Sequence, residues 1–249
     1  MIIINNKYNS QRDFIRSIPH IIENEGTLIQ DARNLIKQLV MPDGMEINVK
    51  RYHAPRWLNI LVYSLSLRQP KGLRAYKYAG ILQSKGISTP EPIAYLEERK
   101  AHILRLSYFI SAQCPYRHDF YELGDAPAAL YEPIVAPFAQ FTAHIHDQGV
   151  LHRDFSPGNI LWQQTDDGEY HFTIVDINRM YFGHVDINRG CANFARLWGP
   201  KRFIIMIVRE YARLRHFDPD EAERIALTHR AAFWQRFSRR HPIKFHLEL

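Results

Sequence analysis

Short runs of β-branched and aliphatic residues punctuate the first third of the chain: Thr27–Gln30, Leu35–Met41 and Glu46–Tyr52. Asp31-Ala-Arg-Asn34 separates the first two and Pro42-Asp-Gly44 the next, and both segments are turn-forming. This spacing predicts a three-stranded antiparallel meander. A helix is predicted from about Gly72 to Ser84, where Leu73, Tyr76, Ala79 or Gly80, and Leu82 recur at near-helical intervals before the stop signal Lys85-Gly86. Thr89-Pro-Glu-Pro92 forces extended backbone, and Ile93–Glu97 and His102–Ile110 read as two more strands.

The pattern then changes period. Ile134, Phe138, Phe141 and Ile145 form one stripe of a helix over Ala128–Gln148, which Gly149 ends. Three very short strands are predicted at Val150-Leu151, Ile160–Trp162 and Phe172–Val175, the last two joined by a polar turn containing Asp166-Asp-Gly168. After Arg189 the chain reads as helical, over Pro200–His216, Pro219–Thr228 and Arg230–Arg239. Strands early and helices late predict an α+β protein with a small β-rich N-lobe (1–112), a helical C-lobe (113–249) and a cleft between them.

Composition narrows the picture. The 249 residues contain no Pro/Gly/Ser-rich linker, low-complexity tract or internal repeat. Cys114 and Cys191 are far apart and lack a partner at metal-ligand spacing, so they read as reduced thiols of a cytosolic protein. The opening Met-Ile-Ile-Ile run is too short for a signal-peptide core, and no apolar stretch approaches the ~20 residues that cross a bilayer. Net charge is +6 and unevenly placed. Between Val49 and Pro90 there is no acid, while Lys50, Arg51, Arg56, Arg68, Lys71, Arg74, Lys77 and Lys85 are basic. A second basic stretch runs from Lys201 to Lys244. Solvated helix faces explain most such charge; an anionic ligand or membrane face is the alternative. Nucleic acid is suggested by charge alone and by no motif.

The segment that carries chemistry is His152-Arg-Asp-Phe-Ser-Pro-Gly-Asn159-Ile-Leu, followed by Thr173-Ile-Val-Asp176. Asp154 and Asn159 share one tight loop turned by Pro157-Gly158, and Asp176 ends a strand able to pair with Ile160–Trp162. A carboxamide and a carboxylate suit Mg²⁺, which takes few protein ligands and fills its sphere with phosphate and water oxygens. Asp154 is then placed to accept a proton from an attacking hydroxyl.

The His-Arg-Asp, four residues, Asn string resembles the catalytic loop of the protein kinase superfamily. Within it the chain is similar to the lipopolysaccharide core (Kdo/heptose) kinase family. That resemblance is carried by Ile47-Asn-Val-Lys-Arg-Tyr52, Arg74-Ala-Tyr-Lys-Tyr-Ala79, Gly86-Ile-Ser-Thr-Pro-Glu-Pro-Ile-Ala-Tyr95 and Val175-Asp-Ile-Asn-Arg-Met180, spanning Gly26 to Arg196. It implies a protein-kinase-like fold using ATP and Mg²⁺. Lys50 would contact the α- and β-phosphates, Asn159 and Asp176 would hold the metal, and Asp154 would be the base. Arg153, which in protein kinases often receives a phosphorylated loop, reads here as a structural hydrogen-bonding residue. The implied partners are ATP and an anionic glycolipid or sugar acceptor. The implied location is the cytoplasm, with the basic tracts suited to peripheral contact at the inner membrane face.

Two departures stand out. The hairpin before Lys50 has Gly26 at its start and no Gly-x-Gly to cradle phosphates. The helix after Lys50 should supply a glutamate to hold that lysine, and the aligned residue is Lys77. Lys50 must then be held by nucleotide alone, by a tyrosine or Gln83, or by an acid from elsewhere such as Glu91. A pseudokinase scaffold and an aminosugar-type kinase are the rival readings.

Overall fold

Alternation sorts the residues of the first half onto two faces of a sheet. The computed structural model describes residues 1–32, 34–53, 69–100 and 103–249. Arg33, Arg56, Arg68 and His102, each part of a feature expected from the sequence, lie outside the described residues. Contacts divide the chain into two units, one of Met1–Pro115 with Asp176–Asn178 and one of Tyr116–Val175 with Arg179–Leu249.

In the first unit, strands β1 (Ile2–Ile4), β2 (Thr27–Asp31), β3 (Asn34–Val40), β4 (Glu46–Tyr52), β5 (Pro92–Lys100) and β6 (Ile103–Ala112) form an antiparallel sheet in the order β1-β5-β6-β4-β3-β2. The three-strand meander and the two later strands are as the sequence predicts. Strand β1 was not anticipated: three isoleucines carry little signal alone, and their pairing (Ile2 opposite Leu96, Ile4 opposite Ala94) is decided by a partner some ninety residues away. Helix α1 (Arg12–Ile21) was also missed. It has no side-chain cap and contains Pro19, yet Ile15, Ile18 and Ile22 lie at helical spacing. These three pack fully buried against Leu35, Leu39, Ile47, Val49 and Ile110.

The period of two along β4 therefore sends Ile47 and Val49 toward α1, and Arg51 with them to pair with Glu23. Lys50 and Tyr52 face the other way. Helix α2 (Lys71–Ser84) packs on β4, β5 and β6. Its close approach depends on Gly72, where a Cβ would stand 3.1 Å from the Tyr95 ring. At Gly26 (φ +84°) a Cβ would stand 2.6 Å from the Gln38 carbonyl oxygen, so the turn into β2 demands glycine.

The second unit is built on α3 (Ala128–Asp147), with Ile134, Phe138, Ala139 and Ile145 buried. Strands β7 (His118–Asp119), β9 (Ile160–Gln164) and β10 (Tyr170–Ile174) form one small sheet, and β8 (Val150–His152) pairs with β11 (Met180–Phe182). Helices α4 (Ile187–Asn193), α5 (Lys201–Leu214) and α6 (Pro219–Ser238) complete it. Where two segments were expected after Pro219, α6 is continuous: Asp218 caps it, Pro219 occupies its first turn, and nothing near Thr228 interrupts it.

The Tyr211 side chain of α5 reaches Gly190 of α4, where a Cβ would lie 2.0 Å from the Tyr211 hydroxyl oxygen. Tyr211 is fully buried and its ring is rigid. Gly190→Ala is expected to destabilise the protein by about 1–3 kcal/mol through overpacking, seen as a lower denaturant midpoint with unchanged slope.

Candidate active site

In the second unit the loop that carries Asp154 and Asn159 leaves β8 at His152 and re-enters β9 through a 3₁₀ turn at Pro157–Asn159. His152 is buried. Its Nδ1 accepts the Asp154 N–H at 3.0 Å, so Nε2 carries the proton and donates to the Val175 carbonyl at 3.0 Å. The loop is also anchored from below, because Phe155 is buried and stacks on Phe138 of α3 with centroids 5.9 Å apart. Asn159 donates through Nδ2 to the Asp154 carbonyl at 2.8 Å and to Ser156 Oγ at 3.2 Å. The Val175 N–H closes the hairpin on the Asn159 carbonyl at 3.0 Å, directly before Asp176 in the chain.

The Asp154 carboxylate is gripped from two sides. Arg196 Nη1 donates to Oδ1, and Arg179 Nη1 lies 3.5 Å from Oδ2. Arg196 is in turn steadied over the Phe233 ring of α6, 5.1 Å from its centroid. Neither arginine emerged from the sequence as a partner of Asp154. Arg179 closes the Asp-x-Asn-Arg motif, a usable signal; Arg196, 42 residues downstream of Asp154, carries none. Arg153 is exposed, its backbone N–H donates to the Arg179 carbonyl at 2.9 Å, and its guanidinium lies 5.8 Å from the Tyr181 ring centroid.

The first unit holds Lys50 and Asp176 together. Lys50 Nζ donates to Asp176 Oδ1 at 2.5 Å, with the lysine side chain only 12% exposed. Asn178 Nδ2 donates to the same oxygen. Asp176 has φ +53°, a left-handed conformation that costs a non-glycine residue free energy and that Asp tolerates better than most. Residues held in such conformations cluster at active sites and ligand clamps. Tyr52 lies beside this group, its ring centroid 5.4 Å from Lys50 Nζ. Burial pushes its hydroxyl pKa well above the ordinary value, and the Asp176 carboxylate adds to the shift.

These contacts correct one expectation and decide among the others. Glu91 is not the acid for Lys50: it pairs with Lys7 at 3.0 Å. Lys77 and Gln83 are exposed on α2. The acid comes instead from Asp176, the residue read from the sequence as a metal ligand. Because Lys77 is solvated and Lys50 already has a carboxylate, Lys77→Glu is expected to leave ATP affinity within about 0.5 kcal/mol, roughly twofold, of wild type. Nucleotide titration of the folded variant checks this.

An ATP–Mg²⁺ pair suits this chemistry. Asp176 and Asn159 each offer hard oxygens of the kind Mg²⁺ takes, and the largely buried Lys50 stands beside the Asp176 carboxylate. Among the described residues no group of three or more His, Cys, Asp or Glu forms a protein-only metal cage.

Sheet order, the α3 scaffold and the His152–Asn159 loop define a protein-kinase-like fold of the α+β class. The chain covers 96% of its own length and 98% of a solved chain described as WaaP in complex with acyl carrier protein, at TM-score 0.63 and 16% identity. A Rio2 kinase–ADP/Mg²⁺–phosphoaspartate complex from Chaetomium thermophilum aligns over 94% of this chain and 78% of that one, at TM-score 0.46 and 15% identity. Among curated proteins there is no match. The sequence profile of the lipopolysaccharide kinase (Kdo/WaaP) family matches residues 31–184. The chain belongs to that family, and it is a kinase by class.

Proposed function

We propose that this protein transfers the γ-phosphoryl group of ATP to a sugar hydroxyl of a lipopolysaccharide inner-core precursor. The observation that carries the reading is the Lys50–Asp176 ion pair, which joins the strand lysine to the strained aspartate in a chain of this family. When bound, Mg·ATP supplies the phosphoryl group and neutralises the charge that develops on it. Lys50 binds the α- and β-phosphates. Asp176 and Asn159 hold the metal, and Asn159 is oriented for this by the two loop bonds from its Nδ2. Asp154 orients the acceptor hydroxyl and takes its proton.

The acceptor is an anionic glycolipid reached from the cytoplasmic face of the inner membrane, with the protein in peripheral contact. No helix among the described residues is long and apolar enough to cross a membrane. Much of the second basic tract is already paired, as with Arg202–Glu132, Arg209–Glu223 and Arg213–Glu210.

Mg²⁺-dependent ATP turnover with and without inner-core glycolipid tests the reading. Phosphate appearing on the sugar supports it. ATP binding without transfer to any glycolipid would replace it with the scaffold reading, and transfer to free aminosugars with the small-molecule reading.

A further inference from the structure

Behind the catalytic loop lies a chain of polar groups whose donors can be assigned one at a time. The Arg215 guanidinium has only N–H groups, so its Nη1 donates to the Tyr211 hydroxyl oxygen at 2.7 Å. Its other atoms are fixed by Asp147 at 2.6 Å and by the Val185 carbonyl at 2.9 Å. With its oxygen accepting from Arg215, Tyr211 turns its own proton to His146 Nδ1, 2.8 Å away.

At the far end the His152 carbonyl can only accept, and Asn193 Nδ2 donates to it at 2.9 Å. The Asn193 carboxamide must then present Oδ1 to His146 Nε2, at 3.2 Å. Both ends demand the same tautomer: His146 is neutral, with its proton on Nε2. Its surroundings agree. The ring is 2% exposed, and burial drives its pKa down to about 3. Tyr211 reaches this position because Gly190 leaves room for its hydroxyl.

We propose that His146 and Asn193 are positioning residues for phosphoryl transfer, forming a one-way hydrogen-bond relay from Arg215 through Tyr211, His146 and Asn193 to the His152 carbonyl. The relay holds the backbone two residues before Asp154, and through it the carboxylate. It rests on the reading of Asp154 as the base. A buried chain of this kind is fully satisfied only in one direction, so it selects one loop conformation over its neighbours. Misplacing a catalytic group by about 1 Å costs on the order of 10²-fold in rate.

Asn193→Asp is the sharpest test. It is nearly isosteric but cannot donate, so two oxygens face each other where the loop was held. The expected result is a kcat reduced on the order of 10–10²-fold with an unchanged KM for ATP. Asn193→Ala should behave alike. A folded Asn193→Asp protein with wild-type kcat would overturn the relay. Nitrogen-15 NMR of the wild-type ring is independent of activity and of mutant folding. It should show a neutral His146 protonated on Nε2 at pH 7; an Nδ1–H tautomer or an imidazolium there would overturn the proposal too. Wild-type protein without phosphotransfer would overturn the proposed function, whereas active protein insensitive to Asn193→Asp overturns the relay alone.

Discussion

Asp154→Asn is expected to lower phosphoryl transfer by about 10²–10⁴-fold while leaving nucleotide affinity near wild type. The substitution keeps the shape of the side chain and the loop bonds that surround it, because those run through the backbone. The Asp154 N–H still meets His152 Nδ1 and its carbonyl still accepts from Asn159. What disappears is the carboxylate, and with it both the proton acceptor and the partner of Arg196 and Arg179. Arg196 is 39% exposed, so its loss of a counter-ion costs little stability. Steady-state kinetics on glycolipid, with nucleotide binding measured separately, gives the answer. Near-wild-type turnover would remove Asp154 from the role of base.

Asp176→Ala should fail at an earlier step, the binding of Mg·ATP. It removes the carboxylate proposed to hold the metal and leaves Lys50, 12% exposed, without that acid. Alanine also accepts a left-handed backbone less readily than aspartate, so a modest loss of stability accompanies the change. A ligand present at 100 times its Kd stabilises a folded protein by about 2.7 kcal/mol. Thermal unfolding with and without Mg·ATP should show that gain in wild type and lose most of it in Asp176→Ala. Asn159→Ala should show a smaller loss. Equal stabilisation of wild type and Asp176→Ala would end the metal-ligand assignment.

The Lys50–Asp176 pair also answers why a kinase-like chain can lack an acid on α2. Asp176 supplies the counter-ion that the helix does not. The same carboxylate is the one proposed to serve the metal. Asn178 donates to the same oxygen and orients the side chain.

Much of this was legible without a structure, and the division has a physical cause. The β2–β4 meander, α2, α3 and the turn at Pro157–Asn159 follow from periodicity and turn residues, which act over a few positions. Asp154 and Asn159 stand out as candidates because their loop is one short segment with fixed spacing, and Asp176 because it follows the next apolar strand. Helix α1 was obscured by Pro19 and by the want of a cap, although the spacing of Ile15, Ile18 and Ile22 carried the signal. Contacts between distant segments were decided only by the tertiary structure. Lys50 meets Asp176 across 126 residues, Arg196 meets Asp154 across 42, and β1 exists because β5 offers it an edge. Local rules say which residue types can form a loop, a strand or a metal ligand. Which charge neutralises which is a matter of distance in space, and that appears only when the sheet and helices have packed.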